Sequence, residues 1–322
     1  MPIQIIATGS YLPELVASNN DLAAFLDTND EWIRTRSGIS TRHIATDETT
    51  SEMGAKAASV AMHRSGLRPE DIDLVICATL TPDTSVPMTA ANIKKALGIE
   101  RAAAFDLNGN CSGFIYAITA ADSLMKNCGY DHAIVVGSDT NSQMLDWTDR
   151  STCVLFGDGA GAVVLSRTDK RGIITTYLDC KIDSDNVLIW PNRLDATPFC
   201  DAQRTEHTKL AMQGSKVMRF VVKALIESVR QVTTAANVSI DDVKYIVPHQ
   251  ANLRMIESAA ETMRLDMDKF YINIDRVANT SHGTIPIALD EMAENKLLER
   301  GDLILLTAFG GGLSSGAVLL EW

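Results

Sequence analysis

The chain repeats itself, and that repetition restricts its fold more than any single motif. Phe156-Gly157-Asp158-Gly159-Ala160-Gly161-Ala162-Val163-Val164-Leu165 is echoed by Phe309-Gly310-Gly311-Gly312-Leu313-Ser314-Ser315-Gly316-Ala317-Val318-Leu319. In both, Phe-Gly leads through a turn of small residues into an apolar strand. The strand before the first is Ala133-Ile134-Val135-Val136-Gly137, and before the second Leu303-Ile304-Leu305-Leu306-Thr307. Residues 73–78 and 244–248 form a further matching pair. These strands are continuously apolar rather than alternating, the pattern of sheets covered on both faces. Helical segments to supply the cover fall at 51–65, 114–127, 216–235, 253–262 and 285–298. The expectation is an α/β protein of two duplicated halves, 1–168 and 169–322. Chance likeness between glycine-rich strand ends is the competing explanation.

A chain of 322 residues with 46% hydrophobic and 22% charged residues buries an ample core. No apolar run approaches the roughly 20 residues of a membrane helix, and the opening residues read as a strand rather than a signal peptide. A net charge of −12 argues against nucleic acid as a partner. The six cysteines show no C-x-x-C spacing, so reduced thiols in a cytoplasmic protein are expected, without disulfides or a metal site. Residues 181–207 read as a long irregular excursion, of the kind that often serves function.

Cys111 lies in Asn108-Gly109-Asn110-Cys111-Ser112-Gly113, between a strand-like run and a helix-like segment. A thiol there meets unpaired amide N–H groups and the positive end of a helix dipole, which favour thiolate. Gly109 and Gly113 leave room for a substrate. Cys77 and Cys153 read as core thiols, Cys128 ends a helix, and Cys180 and Cys200 lack a nearby partner. Of the six histidines, His249 ends a strand and begins a polar turn, where α/β proteins expose functional groups. Asn279 occupies a similar place, with His282 three residues on as a second candidate, whereas His43, His63, His132 and His207 read as solvated. Gly310-Gly311-Gly312 fits an oxyanion-hole turn or a phosphate cradle, and it matches neither nucleotide-binding glycine pattern. A cysteine, a histidine and an asparagine so placed suggest thioester chemistry.

Through these residues the chain closely resembles the β-ketoacyl-acyl-carrier-protein synthase III family of thiolase-fold condensing enzymes. The likeness runs from Ile5-Ile6-Ala7-Thr8-Gly9 to the C-terminus. It includes Asp30-Glu31-Trp32-Ile33, Arg36-Ser37-Gly38-Ile39, Thr148-Asp149-Arg150, Val247-Pro248-His249-Gln250-Ala251-Asn252-Leu253-Arg254, Asn279-Thr280-Ser281 and Ala308-Phe309-Gly310-Gly311-Gly312. The resemblance implies a five-layer αβαβα thiolase fold and a homodimer. It implies that Cys111 takes an acyl group from acyl-CoA, with backbone N–H groups of Cys111 and Gly311 as oxyanion hole. His249 and Asn279 would then hold malonyl-acyl-carrier-protein through decarboxylation, Phe309 crowding the carboxylate that leaves. Coenzyme A would lie against Trp32, Arg36, Arg150 and Asn252, and the carrier protein would dock on Arg219 and Arg254. No cofactor is implied beyond the CoA thioester itself.

Several positions depart from the family pattern. Asn108 and Asn110 replace small apolar residues, and could order water, bond a polar acyl group or tie down the turn. Val86 stands where short-chain members carry Phe at the dimer interface, implying a longer acyl pocket. His282-Gly283 replaces a small-residue pair, Ser314-Ser315 stands for Thr-Trp, and Glu261 for a docking Lys. These changes point to a specialised paralogue. A non-decarboxylating acyltransferase and a silent thioester-binding subunit are the rival functions; Asn279 argues against the first and the intact Cys-His-Asn set against the second.

Overall fold

The computed structural model describes residues 1–191, 196, 198–199 and 208–322; Cys200 and His207 lie outside the described residues. Its first sheet takes strands β1 (Ile3–Tyr11), β4 (Leu74–Ala78), β5 (Ala103–Leu107), β6 (His132–Asp139) and β7 (Gly159–Arg167) in the order β1-β7-β6-β4-β5. Two short pairs lie outside the main sheets: β2 (Leu15–Ser18) with β3 (Thr41–Ile44), and β9 (Leu188–Ile189) with β10 (Ala211–Met212). The second sheet is β11-β12-β13-β8, formed by β8 (Ile173–Cys180), β11 (Tyr245–Pro248), β12 (Leu303–Phe309) and β13 (Ser314–Glu321).

The repeat seen in the sequence becomes a repeat of topology. β4 and β6 run parallel and β6 and β7 antiparallel; β11 and β12 run parallel and β12 and β13 antiparallel. β1 and β8 close the same edge of each sheet by antiparallel pairing. Where β5 stands in the first half, the second has a single parallel bridge, Ile246 to Phe270.

Helices α3 (Thr50–Ser65) and α4 (Thr89–Ala96) cover the outer face of the first sheet. Helices α6 (Gly214–Ala236) and α7 (Leu253–Met263) cover the outer face of the second. Between the sheets lie α5 (Gly113–Cys128) and α9 (Thr284–Glu294), whose Phe114, Ile118, Ile285 and Leu289 join Leu74, Ile76, Leu306 and Val318 in one core. The layers are therefore α, β, α, β, α. β4 shows why its sequence is apolar throughout: Leu74 and Ile76 point to the central core, whereas Val75 and Cys77 point to the outer one. α1 (Asn19–Ala23), α2 (Asp30–Ser37) and α8 (Ile274–Val277) gather around a fourth, smaller core containing Ile33, Met144, Phe156 and Ile274.

Local signals place the helix ends. α3 opens on a capping box, Thr49 with Glu52, and stops at Gly66 with φ +73°. α9 ends at Glu294 rather than at 298. Lys296 takes a left-handed φ of +56°, and the Leu297 N–H reaches back to the Met292 carbonyl at 3.0 Å. That C-terminal motif turns Leu297 and Leu298 onto the central core, which their apolar character disguised as a continuing helix.

Candidate active site

Cys111 sits in the turn between β5 and α5. Asn110 adopts φ +51°, and the Asn108 side-chain oxygen accepts from its backbone N–H at 3.0 Å. The Asn110 amide donates to the Gly311 carbonyl at 3.1 Å. Ser112 Oγ and Ser314 Oγ lie 2.6 Å apart, and both donate to the Gly109 carbonyl. Of the three roles open to the two asparagines, tying down the turn is thus met, and the tie reaches the glycine turn of the other half. Gly310 makes the approach possible: a Cβ there would lie 2.8 Å from the Cys111 backbone nitrogen.

His249 follows β11 and is fully buried. Its backbone N–H donates to the Thr307 carbonyl at 2.7 Å, and its ring meets the Phe309 ring edge-on with centroids 5.0 Å apart. Nδ1 lies 2.7 Å from Thr284 Oγ, whereas Nε2 has no partner among the described residues. Burial depresses its pKa to about 3, with His282 pushing the same way and Asp139 opposing. His249 is therefore a neutral imidazole near pH 7. Asn279 is buried too, and its Oδ1 accepts from the Ser281 N–H at 2.8 Å. With the oxygen engaged, the amide presents its N–H₂ as the remaining polar end.

Cys111, His249, Asn279, Phe309 and Gly310 line one cavity of about 290 Å³ together with Trp32, Arg36, Arg150 and Asn252. The predicted nucleophile, its two polar companions and the residues assigned to coenzyme A therefore share a single space. The Arg36 and Arg150 guanidinium carbons lie 4.5 and 5.0 Å from the Trp32 ring centroid. Arg150 is also bonded to the Asp27 backbone and carboxylate. Asn252 caps α7 by accepting from the Arg254 N–H and donates to the Arg36 carbonyl at 2.9 Å. Its amide thus holds the cavity wall.

Exposed Arg219 lies on α6 among Val217, Met218, Phe220 and Val221, which line this cavity, and exposed Arg254 is one residue before its wall residue Met255. A second cavity, of about 440 Å³, opens on the other side of Cys111 among Leu80, Asn108, Asn110, Gln143, Met144, Phe156 and Trp190. Val86 lines neither cavity; it is 87% exposed on the loop after β4. Gly311 is buried, and its carbonyl accepts from the Asn110 amide.

Two local readings change. A helix N-terminus alone does not make Cys111 a resting thiolate. Burial pushes its pKa up to about 11, against a 3.6 Å hydrogen bond from Ser281 Oγ and with Asp139 adding to the rise. The room left at Gly113 belongs to the protein rather than to a substrate: a Cβ there would lie 2.4 Å from His282 Nε2. Thr284 and the partner of His282, Asp139, carry no sequence signal of their own, because each acts across more than one element.

Comparison with known proteins agrees with this geometry. The family model described as 3-oxoacyl-[acyl-carrier-protein (ACP)] synthase III matches residues 105–182, and the C-terminal model of the same enzyme matches 233–322. The chain is 45% identical to the β-ketoacyl-[acyl-carrier-protein] synthase III of Clostridium acetobutylicum over 99% of this chain and 98% of that one. Identity to the enzyme of the same name from Clostridium beijerinckii is 46%, covering 99% of each. Among solved structures, 3-oxoacyl-[acyl-carrier-protein] synthase III from Aquifex aeolicus superposes with a TM-score of 0.93 at 41% identity, over 99% of this chain and 100% of that one. The priming β-ketosynthase of the R1128 polyketide biosynthetic pathway gives 0.91 at 31% identity, over 99% and 96%.

Proposed function

The chain belongs to the β-ketoacyl-acyl-carrier-protein synthase III family, and on that premise we propose that it condenses an acyl-CoA primer with malonyl-acyl-carrier-protein. The observation that carries the reading is the convergence of Cys111, the neutral His249 and the tethered Asn279 amide on one cavity. Cys111 Sγ attacks the primer's thioester carbonyl; the bond to the CoA sulfur breaks, and the proton that leaves Cys111 ends on that sulfur. Backbone N–H groups of Cys111 and Gly311 are assigned to the oxyanion. Malonyl-carrier-protein follows, its thioester carbonyl accepting from His249 Nε2 and Asn279 Nδ2. Its carboxylate leaves as carbon dioxide beside Phe309. The resulting carbanion forms a carbon–carbon bond to the acyl carbonyl and Cys111 departs as thiolate.

Donation from His249 sets a condition on Thr284. Its hydroxyl has one hydrogen, within reach of both the Ser281 carbonyl and His249 Nδ1. Given to Nδ1, it fixes the imidazole proton on Nε2, where the malonyl carbonyl is expected. No cofactor or metal enters this chemistry. CoA is assigned to Trp32, Arg36, Arg150 and Asn252, and the acidic carrier protein to Arg219 and Arg254. Incubation with malonyl-carrier-protein and a panel of acyl-CoA primers tests the reading. Carbon dioxide release that depends on the primer is expected, with a ketoacyl-carrier-protein two carbons longer than the primer. Acyl transfer without carbon dioxide would replace it with a non-decarboxylating acyltransferase.

We read residues 1–168 and 169–322 as the two halves, acting in the cytoplasm as a homodimer. β5 is an open sheet edge, and exposed Val86 lies on a loop of the same half. No described helix is long and apolar enough to cross a membrane. In such a dimer Val86 would close the partner's acyl cavity with a smaller side chain than Phe. Each extra buried methylene then contributes about 0.8 kcal/mol, roughly fourfold in preference. Octanoyl-CoA is expected to exceed acetyl-CoA in kcat/KM, and Val86→Phe to shift preference back to acetyl-CoA. Acetyl-CoA as the preferred primer of the unmodified enzyme would refute the open pocket. Glutaryl-CoA as the best primer would assign the polar lining of Asn108, Asn110 and Gln143 to a carboxylated acyl chain.

A further inference from the structure

His282 is fully buried, and its Nδ1 lies 2.7 Å from Asp139 Oδ2, a carboxylate with no exposed surface of its own. The His282 backbone N–H donates to the same oxygen at 3.1 Å. Oδ1 accepts from the Thr79 and Thr81 hydroxyls and from the Leu80 N–H. Burial raises the Asp139 pKa, but His282 and the Leu80 N–H outweigh it and hold the carboxyl below the usual carboxylate range. The imidazole packs against Gly113, the first residue of α5, and Nε2 has no partner among the described residues. Gly137 makes similar space: a Cβ there would lie 2.1 Å from the His282 carbonyl. Ser281 Oγ stands between the pair and the nucleophile, 3.6 Å from Cys111 Sγ and 3.4 Å from His282 Nδ1.

A buried carboxylate near a buried thiol opposes loss of the thiol proton unless a cation offsets it. His249 does not serve, because it stays neutral. The elements packed on the 281–283 turn are β6, β7, α5 and α9. Their other charged groups bond elsewhere: Arg167 to the Tyr130 carbonyl and Asp131, Lys126 to Asp122, Asp290 to Arg64, and Glu291 to Arg276. Asp158, on the approach to β7, adds a further carboxyl coupled to Asp139. We propose that His282 and Asp139, 2.7 Å apart, stand as an ion pair, and that His282 is thereby a positioning residue for the nucleophile: the pair presents no net charge to Cys111, which can then give up its proton in a site whose other histidine is uncharged. This rests on Cys111 being the nucleophile.

Alkylation of Cys111 by iodoacetamide tests the proposal without any substrate. The thiolate displaces iodide to form a carbon–sulfur bond, its proton having gone to solvent. The rate at Cys111 is followed by peptide mass spectrometry between about pH 7 and pH 10, below the raised Cys111 pKa of about 11, where the rate climbs with the thiolate fraction. In His282→Ala, Asp139 stands uncompensated; the rising profile should move up by about one pH unit, with alkylation about tenfold slower at each pH. The Asp139→Asn/His282→Ala double variant carries neither charge and should return the profile close to that of the unmodified protein. Should His282→Ala fail to fold, His282→Gln keeps a donor to Asp139 without a charge and should show the same slowing. A His282 variant with an unchanged profile, or a double variant as slow as the single one, overturns the proposal. An acyl adduct that still forms from acyl-CoA on Cys111→Ala would instead count against Cys111 as the nucleophile.

Discussion

Cys111→Ala is expected to abolish both acylation and condensation. Among the described residues, no other nucleophile lines both cavities. Cys77 and Cys153 are buried in other cores, and Cys128 and Cys180 are exposed and line neither space. The substitution removes one sulfur and keeps the backbone N–H that the oxyanion needs. The turn itself is held by Asn108, Asn110, Ser112 and Ser314 rather than by the thiol. Incubation with acyl-CoA followed by intact-mass measurement checks this. The unmodified chain should gain one acyl group and the Ala variant none; an adduct of equal yield on the variant would remove Cys111 from the reaction.

Asn279→Asp should separate the two half-reactions. The new side chain still accepts from the Ser281 N–H, as Asn279 Oδ1 does at 2.8 Å, so the local fold should be kept. What is lost is the amide N–H₂ proposed to bond the malonyl thioester, and in its place stands an oxygen that would repel the developing enolate. Removing one such donor costs about 10²–10³ in rate. Acylation by acyl-CoA should stay within a few-fold of normal, an order-of-magnitude expectation because Asn279 makes no contact required for that step. Carbon dioxide release measured beside the acyl-adduct yield checks the separation. Equal loss of both would show that Asn279 shapes the whole cavity rather than the second step.

The chain's residues announced the architecture unevenly. The duplicated Phe-Gly turn and the continuous strands foretold two like sheets, because that pattern is local and the period of a strand carries it. The Cys111 turn was legible for the same reason: strand, polar turn and helix follow one another within a dozen residues. The pair that most shapes the surroundings of Cys111 was not. Asp139 and His282 are 143 residues apart, and only the antiparallel run of β6 and β7 under the 281–283 turn brings them together. Gly113 misled for the same cause, since a glycine in a sequence shows that space is needed without showing what fills it. Ser112 and Ser314, 202 residues apart, likewise join the halves only after folding.

The most direct test is a single turnover. The chain is acylated with a primer acyl-CoA, freed of excess CoA ester and mixed with malonyl-carrier-protein while adduct, carbon dioxide and carrier mass are followed together. The Cys111 adduct should disappear as one carbon dioxide is released per adduct, and the carrier should gain the acyl group joined to its two-carbon remnant. An adduct that persists, or that passes to water, an alcohol or an amine with no carbon dioxide released, would contradict the decarboxylative condensation at Cys111, His249 and Asn279.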